Sequence, residues 1–273
     1  MEKITLFWFR RDLRLDDNTG LYYALQQEKN VLPIFIFDEN ILEKLEDKDD
    51  ARVGFIHHQI SKLKSQLEQK GSSLLVRKGR PIEIYQSLLE EYSIQAVYTN
   101  RDYEPYAKER DQAISDLLKS HEVEFFTFKD QMIFEPGEVL NGSGEFYKVF
   151  TPFSKVWLEK FKEQNIEPLT NFQWKNLYST NPLPLPTLQE IGFEKSSIEI
   201  PPMETDEDII KHYDQTRNFP AKKGTSRLGI HLRFGTISIR KLAKLAGKLN
   251  ATYLNELIWR EFYMTILAFN PQV

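Results

Sequence analysis

Short apolar runs alternate with amphipathic stretches through the first half of the chain. ITLFWFR (4–10), VLPIFIFD (31–38), SLLVRK (73–78), IQAVYTN (94–100) and VEFFTF (123–128) are rich in β-branched and aromatic residues. A strand that is apolar along its whole length is buried on both faces, as in a parallel sheet covered by helices. Between these runs, 18–28, 52–69, 81–92 and 104–120 carry apolar residues at helical spacing. Asp17 or Asn18 can cap the first of these helices, and Pro81 stands where a first-turn proline loses no hydrogen bond. The pattern predicts an α/β domain over 1–130, with a doubly wound, five-stranded parallel sheet and helices on both faces.

The rhythm then breaks. Residues 131–203 read as a connector holding one helix near 152–163, and its second half is rich in Pro, Ser, Thr and Asn without sustained periodicity. From 204 the spacing is helical again, over Glu204–Thr216, Ile237–Lys248 and Tyr253–Phe269, so 204–273 reads as the start of an all-α domain. In a doubly wound sheet, ligands sit outside the carboxyl ends of the strands. That draws attention to RRDLRLDDN (10–18) and NRDYEP (100–105), but neither is a glycine-rich phosphate loop, and ion pairs bracing loop to sheet are the expected content.

Composition narrows the chemistry. The 273 residues include no cysteine, which excludes disulfides, thiolate metal sites and a cysteine nucleophile. His57 and His58 have no partner at metal spacing, so no metal site is expected, and Trp8, Trp157 and Trp174 read as packing residues. No run approaches the length of a membrane span and no signal peptide is visible, which points to a cytoplasmic protein without membrane contact. The net charge of −4 conceals an asymmetry: residues 211–248 hold ten Lys and Arg against Asp214 alone. Such a segment is either a solvated helix surface or a phosphate-binding face.

Two patterns bear on that choice. Glu256, Trp259, Arg260 and Tyr263 fall at i, i+3, i+4 and i+7 and share a helix face, while Leu254, Ile258 and Phe262 point the other way. An acceptor, a flat aromatic and a guanidinium on one face suit a planar, anionic partner, and equally suit a half-buried tryptophan beside an ion pair. Upstream, KKGTSRLGIHLRFG (222–235) offers Gly224 for close backbone approach and Thr225 and Ser226 as helix caps or phosphate donors, with Arg227 adding charge. With Tyr213 and Arg217 nearby, the stretch tilts towards a phosphate-bearing ligand.

These segments resemble the DNA photolyase/cryptochrome family, most nearly its bacterial class I cyclobutane pyrimidine dimer photolyases. LFWFRRDLRLDDN resembles the family's opening strand and loop, and YKVFTPFSKVWL (147–158) the passage out of its α/β domain. YDQTRNFPAKKGTSRLGIHLRFGTIS (213–238) resembles the start of its flavin-binding helical domain, and LNELIWREFY (254–263) the helix that follows. The resemblance implies light-driven repair of damaged DNA, with FAD donating an electron to a flipped-out pyrimidine dimer. It assigns Tyr213, Thr225, Ser226, Arg227, Leu228, Gly229 and Arg260 to FAD, although Gly229 stands where serine is common. Arg217, Glu256, Trp259, Arg260 and Tyr263 fall on the DNA side, with Glu256 and Trp259 contacting the dimer as the catalytic pair.

A second, antenna chromophore in the α/β domain is also implied, but the Asn-Glu pair of folate-binding members is replaced by Tyr106 and Ala107, which argues against folate. Damaged DNA is the implied partner, with no obligate protein partner, and a complete member of the family is expected to act as a monomer. The family's helical domain continues past AFNPQV, so impaired or absent FAD binding and repair are expected of this chain alone, while its α/β half folds independently. Two other readings stand beside this one: a cryptochrome-type blue-light receptor, and a non-catalytic α/β nucleotide-binding module of the electron-transfer flavoprotein kind.

Overall fold

A computed structural model describes residues 2–272 and divides them into two units. The first comprises the residues up to Arg101 together with Tyr106–Asp130 and Leu169–Ile200. It is built on five parallel strands: β1 (Lys3–Phe9), β2 (Val31–Asp38), β3 (Leu75–Gly79), β4 (Ser93–Asn100) and β5 (Glu124–Phe128), in the order β3-β2-β1-β4-β5. The chain winds from β1 outward to β3, then returns to the other side of β1 for β4 and β5. Its topological switch point therefore lies between the carboxyl ends of β1 and β4.

Five helices connect the strands: α1 (Thr19–Gln27), α2 (Glu39–Leu42), α3 (Ala51–Glu68), α4 (Pro81–Glu91) and α5 (Pro105–Ser120). Ile4, Leu6 and Trp8 of β1 share a core with Tyr85 and Leu88 of α4 and Ile114 and Leu118 of α5. Phe7 points to the opposite face, towards α1, as the period of two requires. There Gly20 permits close contact, since a Cβ at that position would lie 2.9 Å from the Phe7 ring and 3.0 Å from Asn100 Oδ1. Asn18, not Asp17, caps α1, its side chain accepting from Leu21 N.

The loops after β1 and β4 close the switch point with buried polar side chains. Asn100 Nδ2 donates to Asp12 Oδ2 at 2.6 Å and to Asn18 Oδ1 at 2.8 Å, while its Oδ1 accepts from Gly20 N at 2.8 Å. Arg10 pairs with Asp111, and Arg14 with Asp130 at 2.8 Å. Burial, then the neighbouring Asp130, raises the Asp12 carboxyl above its usual range. Asn100→Ala would leave the Gly20 N–H without this acceptor and Asp12 and Asn18 without this donor. The expected cost is about 2–4 kcal/mol, read as a lower urea midpoint at unchanged m.

The second unit comprises Asp102–Pro105, Gln131–Pro168 and the residues from Pro201 onward. Its helices are α6 (Phe150–Glu163), α7 (Glu207–Lys211), α8 (Tyr213–Thr216), α9 (Gly229–Arg233), α10 (Ile239–Leu249) and α11 (Ala251–Phe269). The core joins Phe153 and Trp157 of α6, Leu242, Ala243 and Ala246 of α10, and Leu254, Leu257, Ile258 and Phe262 of α11.

Two expectations change here. Residues 131–203 do not stand apart as a connector. Ile133, Phe134 and Val139 enter the helical core, whereas 169–200 lies along the sheet unit, anchored by Leu169 N to Asp17 Oδ1 at 2.6 Å and Tyr178 N to Val31 O at 2.9 Å. Proline-rich chain without a ladder of its own finds its hydrogen bonds on a neighbouring surface. The single helix expected over 204–216 is two, broken at His212, whose φ of −102° and ψ of 14° leave the helical region.

Candidate functional site

Helix α11 organises the helical unit's polar cluster. It starts at Asn250, whose side chain accepts from Thr252 N and Tyr253 N, and that cap sets the phase of the helix. Leu254, Leu257, Ile258 and Phe262 then fall inward, while Glu256, Trp259 and Tyr263 fall on the outer side.

The loop from α8 to α9 meets this helix. Arg217, at the end of α8, pairs with the Glu256 carboxylate, and its guanidinium lies 5.4 Å from the Tyr213 ring. Tyr213 packs edge-on against Tyr253 at 5.1 Å, and the Tyr253 hydroxyl lies 2.8 Å from Ser226 Oγ. Burial, followed by the nearby Glu256 carboxylate, raises the Tyr213 hydroxyl pKa, with Arg217 opposing the shift. Tyr253 is raised chiefly by burial. Four sequence-selected residues, Tyr213, Arg217, Ser226 and Glu256, are thereby joined around Tyr253, which was not among them.

The glycine-containing turn has the shape of a cradle. A Cβ on Gly224 would lie 2.7 Å from both Cβ and the carbonyl oxygen of Thr216, so only glycine lets the two backbones approach. Arg227 adopts φ +52°, a conformation sparsely populated by residues with a side chain. Thr225 and Arg227 are exposed, presenting a hydroxyl and a guanidinium. Leu228 is buried in the core, which leaves only its backbone to face a ligand, and space is open around Gly229. Helix capping by Thr225 or Ser226 is not observed: α9 begins at Gly229 after Leu228 with no side-chain cap, and the Ser226 hydroxyl turns to Tyr253 instead. Hydroxyl, cation and tightly approaching backbone form a donor set that suits phosphate, and so suits FAD.

Other members of the C-terminal face are engaged elsewhere. Arg260 donates to the carbonyls of Gln131, at 2.8 Å, and Leu232, at 3.3 Å, which makes it a brace within the unit. Next to it Glu261 is buried and accepts from Ile133 N, from Phe134 N at 3.2 Å and from Trp157 Nε1 at 2.7 Å. Trp259 lies flat on Phe150, and Tyr263 stacks one turn further along. Sequence reasoning passed over Phe150, Tyr253 and Glu261. Glu261 left a signal, an acid three residues after Ile258 and four after Leu257 on the apolar face; Phe150 left none.

In the sheet unit, Tyr106 donates to Asp38 Oδ2 at 2.7 Å and accepts from Asn40 Nδ2 at 3.0 Å. Burial, then that bond to Asp38, pushes the Tyr106 hydroxyl up to about 12. Ala107 is buried. This donor set does not suit a folate: the hydroxyl is committed and the methyl offers no hydrogen bond. Arg10 and Arg110 flank the Trp8 ring at 4.9 and 4.8 Å. Among the described residues no group of three or more His, Asp or Glu could hold a metal, and no helix is long and apolar enough to cross a membrane.

The family model described as DNA photolyase matches residues 5–172. The deoxyribodipyrimidine photo-lyase of Synechococcus sp. (strain PCC 6301) is 34% identical, covering 98% of this chain and 61% of its own. An uncharacterised 31.6 kDa protein of Synechococcus sp. (strain PCC 6716) is 32% identical, with 94% of this chain and 98% of that one aligned. Among solved structures, an archaeal photolyase from Sulfolobus tokodaii, described with two FAD molecules, superposes with a TM-score of 0.77 at 26% identity, covering 99% of this chain and 60% of its own. The chain spans about 60% of the length of these photolyases.

Proposed function

The chain belongs to the DNA photolyase family, and from that premise we propose that it carries the α/β unit and the first FAD- and DNA-facing elements of an enzyme that repairs cyclobutane pyrimidine dimers with light. The supporting observation is the meeting of Arg217 and Glu256, distant in sequence, beside Tyr213 and the Gly224 turn. A phosphate-binding cation, an acceptor for a base N–H and a dinucleotide cradle thus share one surface of one unit.

In this reading Thr225, Ser226, Arg227 and the backbone of Leu228 and Gly229 hold the FAD phosphates, and Tyr213 flanks them. Reduced FAD, when bound, supplies the electron that blue light drives into the dimer. The protein's own residues bind and orient. Arg217 takes a phosphate of the damaged strand, Glu256 accepts an N–H from the extruded dimer, and Trp259 and Tyr263 supply aromatic surface for it. Poor stacking makes a dimer cheaper to extrude than an intact base, the source of selectivity in enzymes that act on flipped bases, photolyases among them. The basic 211–248 stretch adds salt-dependent attraction to the backbone. A second chromophore in the sheet unit belongs to the proposal, as something other than folate, as does action on DNA in the cytoplasm by a monomer.

Two measurements on the purified chain test this. The near-ultraviolet and blue absorption spectrum after gel filtration reports retained flavin, and light-dependent loss of dimers from an irradiated oligonucleotide reports repair. A chain that binds irradiated and intact DNA equally would refute the reading, whereas weak retention of flavin alone would not, because the chain spans about 60% of the photolyases' length. Gly224→Ala is expected to weaken FAD binding in the same titration. Overpacking of this kind costs about 1–3 kcal/mol of stability, and about 1.4 kcal/mol of it expressed at the turn would weaken binding about tenfold.

A further inference from the structure

Trp259 does not stand alone on its helix. Phe150, the first residue of α6, lies over it with ring centroids 3.5 Å apart and planes 7° apart. Aromatic pairs ordinarily settle into offset or edge-on arrangements with centroids about 4.5–7 Å apart. Here the ring at the start of α6 and the indole on α11 lie face to face at the shorter distance, so Phe150 covers one face of the indole and limits its tilt. Phe262 completes the hold, edge-on to Trp259 at 5.7 Å and to Phe150 at 5.7 Å. Tyr263 stacks on Trp259 at 5.4 Å with a 26° opening and is 63% exposed. Phe150 and Tyr263 thus both pack on Trp259, the first half-buried and the second open.

We propose that Phe150 is a positioning residue for DNA: by stacking flat on Trp259 it holds the indole, and through it Tyr263, at the angle an extruded pyrimidine meets. The inference rests on the DNA-repair reading above and adds to it a residue from another helix, more than a hundred positions away in sequence. A preset ring costs the ligand less to engage than one that must first be ordered, and the gain appears only with bases that have left the duplex stack. Intact DNA, held through its phosphates, does not sense Phe150. The signature of Phe150 is therefore lesion preference rather than affinity as such.

The test uses the whole chain with two probes, a DNA duplex carrying ultraviolet-induced thymine dimers and the same duplex unirradiated, at one salt concentration. Phe150→Leu fills a similar space without a flat ring, and Phe150→Tyr keeps the ring. The leucine variant is expected to bind the irradiated probe about tenfold more weakly while its affinity for the intact probe is unchanged, and the tyrosine variant to stay within about twofold of wild type on both. A leucine variant equal to wild type on the irradiated probe overturns the proposal and leaves the DNA reading standing. So does an equal loss on both probes, which signals structural damage alone. A wild-type chain with no preference for the irradiated probe overturns the DNA reading and this proposal together. Thermal unfolding confirms that each variant is folded, and Phe150→Met, which adapts to irregular gaps, replaces the leucine variant if that one is not.

Discussion

Glu261→Ala is expected to unfold the helical unit at denaturant concentrations where the wild-type chain is intact. The side chain is 1% exposed, and its carboxylate takes hydrogen bonds from Ile133 N, Phe134 N and Trp157 Nε1. Those donors sit on a segment and a helix far from α11 in sequence, so one carboxylate ties three parts of the unit together. Truncation leaves three buried donors without an acceptor, each costing about 1–3 kcal/mol. Even the lower end of the sum, about 3 kcal/mol, is a large share of the 5–15 kcal/mol by which domains are ordinarily stable.

Glu261→Gln conserves volume but turns an amide N–H₂ towards a donor, so a smaller loss is expected. Burial raises the pKa of Glu261 above its usual value, with Ile133 N, Trp157 and Phe134 N acting in the opposite direction. A carboxyl with a raised folded-state pKa contributes stability that is full below its unfolded pKa and is lost as pH rises through the folded one. The margin of wild type over the glutamine variant is therefore expected to shrink as pH rises through that span. The titration of Asp12 is common to both proteins and cancels. Urea midpoints at several pH values provide the measurement, and an alanine variant as stable as wild type would show that the three donors find other partners.

Arg217 and Glu256 are expected to fail in different ways, although they touch. Arg217→Ala should weaken binding to irradiated and intact oligonucleotides alike and lower the slope of log affinity against log salt by about 0.9, the contribution of one phosphate in duplex DNA. Glu256→Gln should cost about tenfold on irradiated DNA, the worth of one hydrogen bond to a charged acceptor. On intact DNA it should cost nothing, because losing the carboxylate releases Arg217 for phosphate. The two side chains are 34% and 35% exposed, and at that exposure an ion pair is worth about 0–1 kcal/mol, so opening it for DNA is cheap. Titrations at three salt concentrations separate the two residues. If Glu256→Gln lost equally on both DNAs, the carboxylate would be a structural partner of Arg217 and not a reader of the lesion.

Much of the geometry of this candidate site can be read from the sequence. The outer face of α11 follows from spacing alone, because 3.6 residues per turn bring Glu256, Trp259 and Tyr263 to the same side. The need for glycine at 224 was visible as a turn residue ahead of hydroxyls and a cation, though its reason, the Thr216 backbone, was not. Arg260 shows the limit of helical spacing. By spacing it belongs with Trp259, yet a long side chain reaches whichever buried carbonyls need a donor, and here those of Gln131 and Leu232 do. Helix phase gives the direction in which a side chain leaves the backbone and not where its far end comes to rest.

Local pattern determined the five strands and their parallel, doubly covered sheet, the longer helices and the inward face of α11, because burial periodicity is a property of neighbours in the chain. Tertiary structure decided what neighbours cannot: that 131–168 joins the helical core while 169–200 lies along the sheet unit, that Glu261 is a buried tie, and that Phe150 lies on Trp259. Each of these is a contact between segments whose separation in sequence carries no period. A side chain's chemistry can be read from its letter, but its partner depends on how the intervening chain folds.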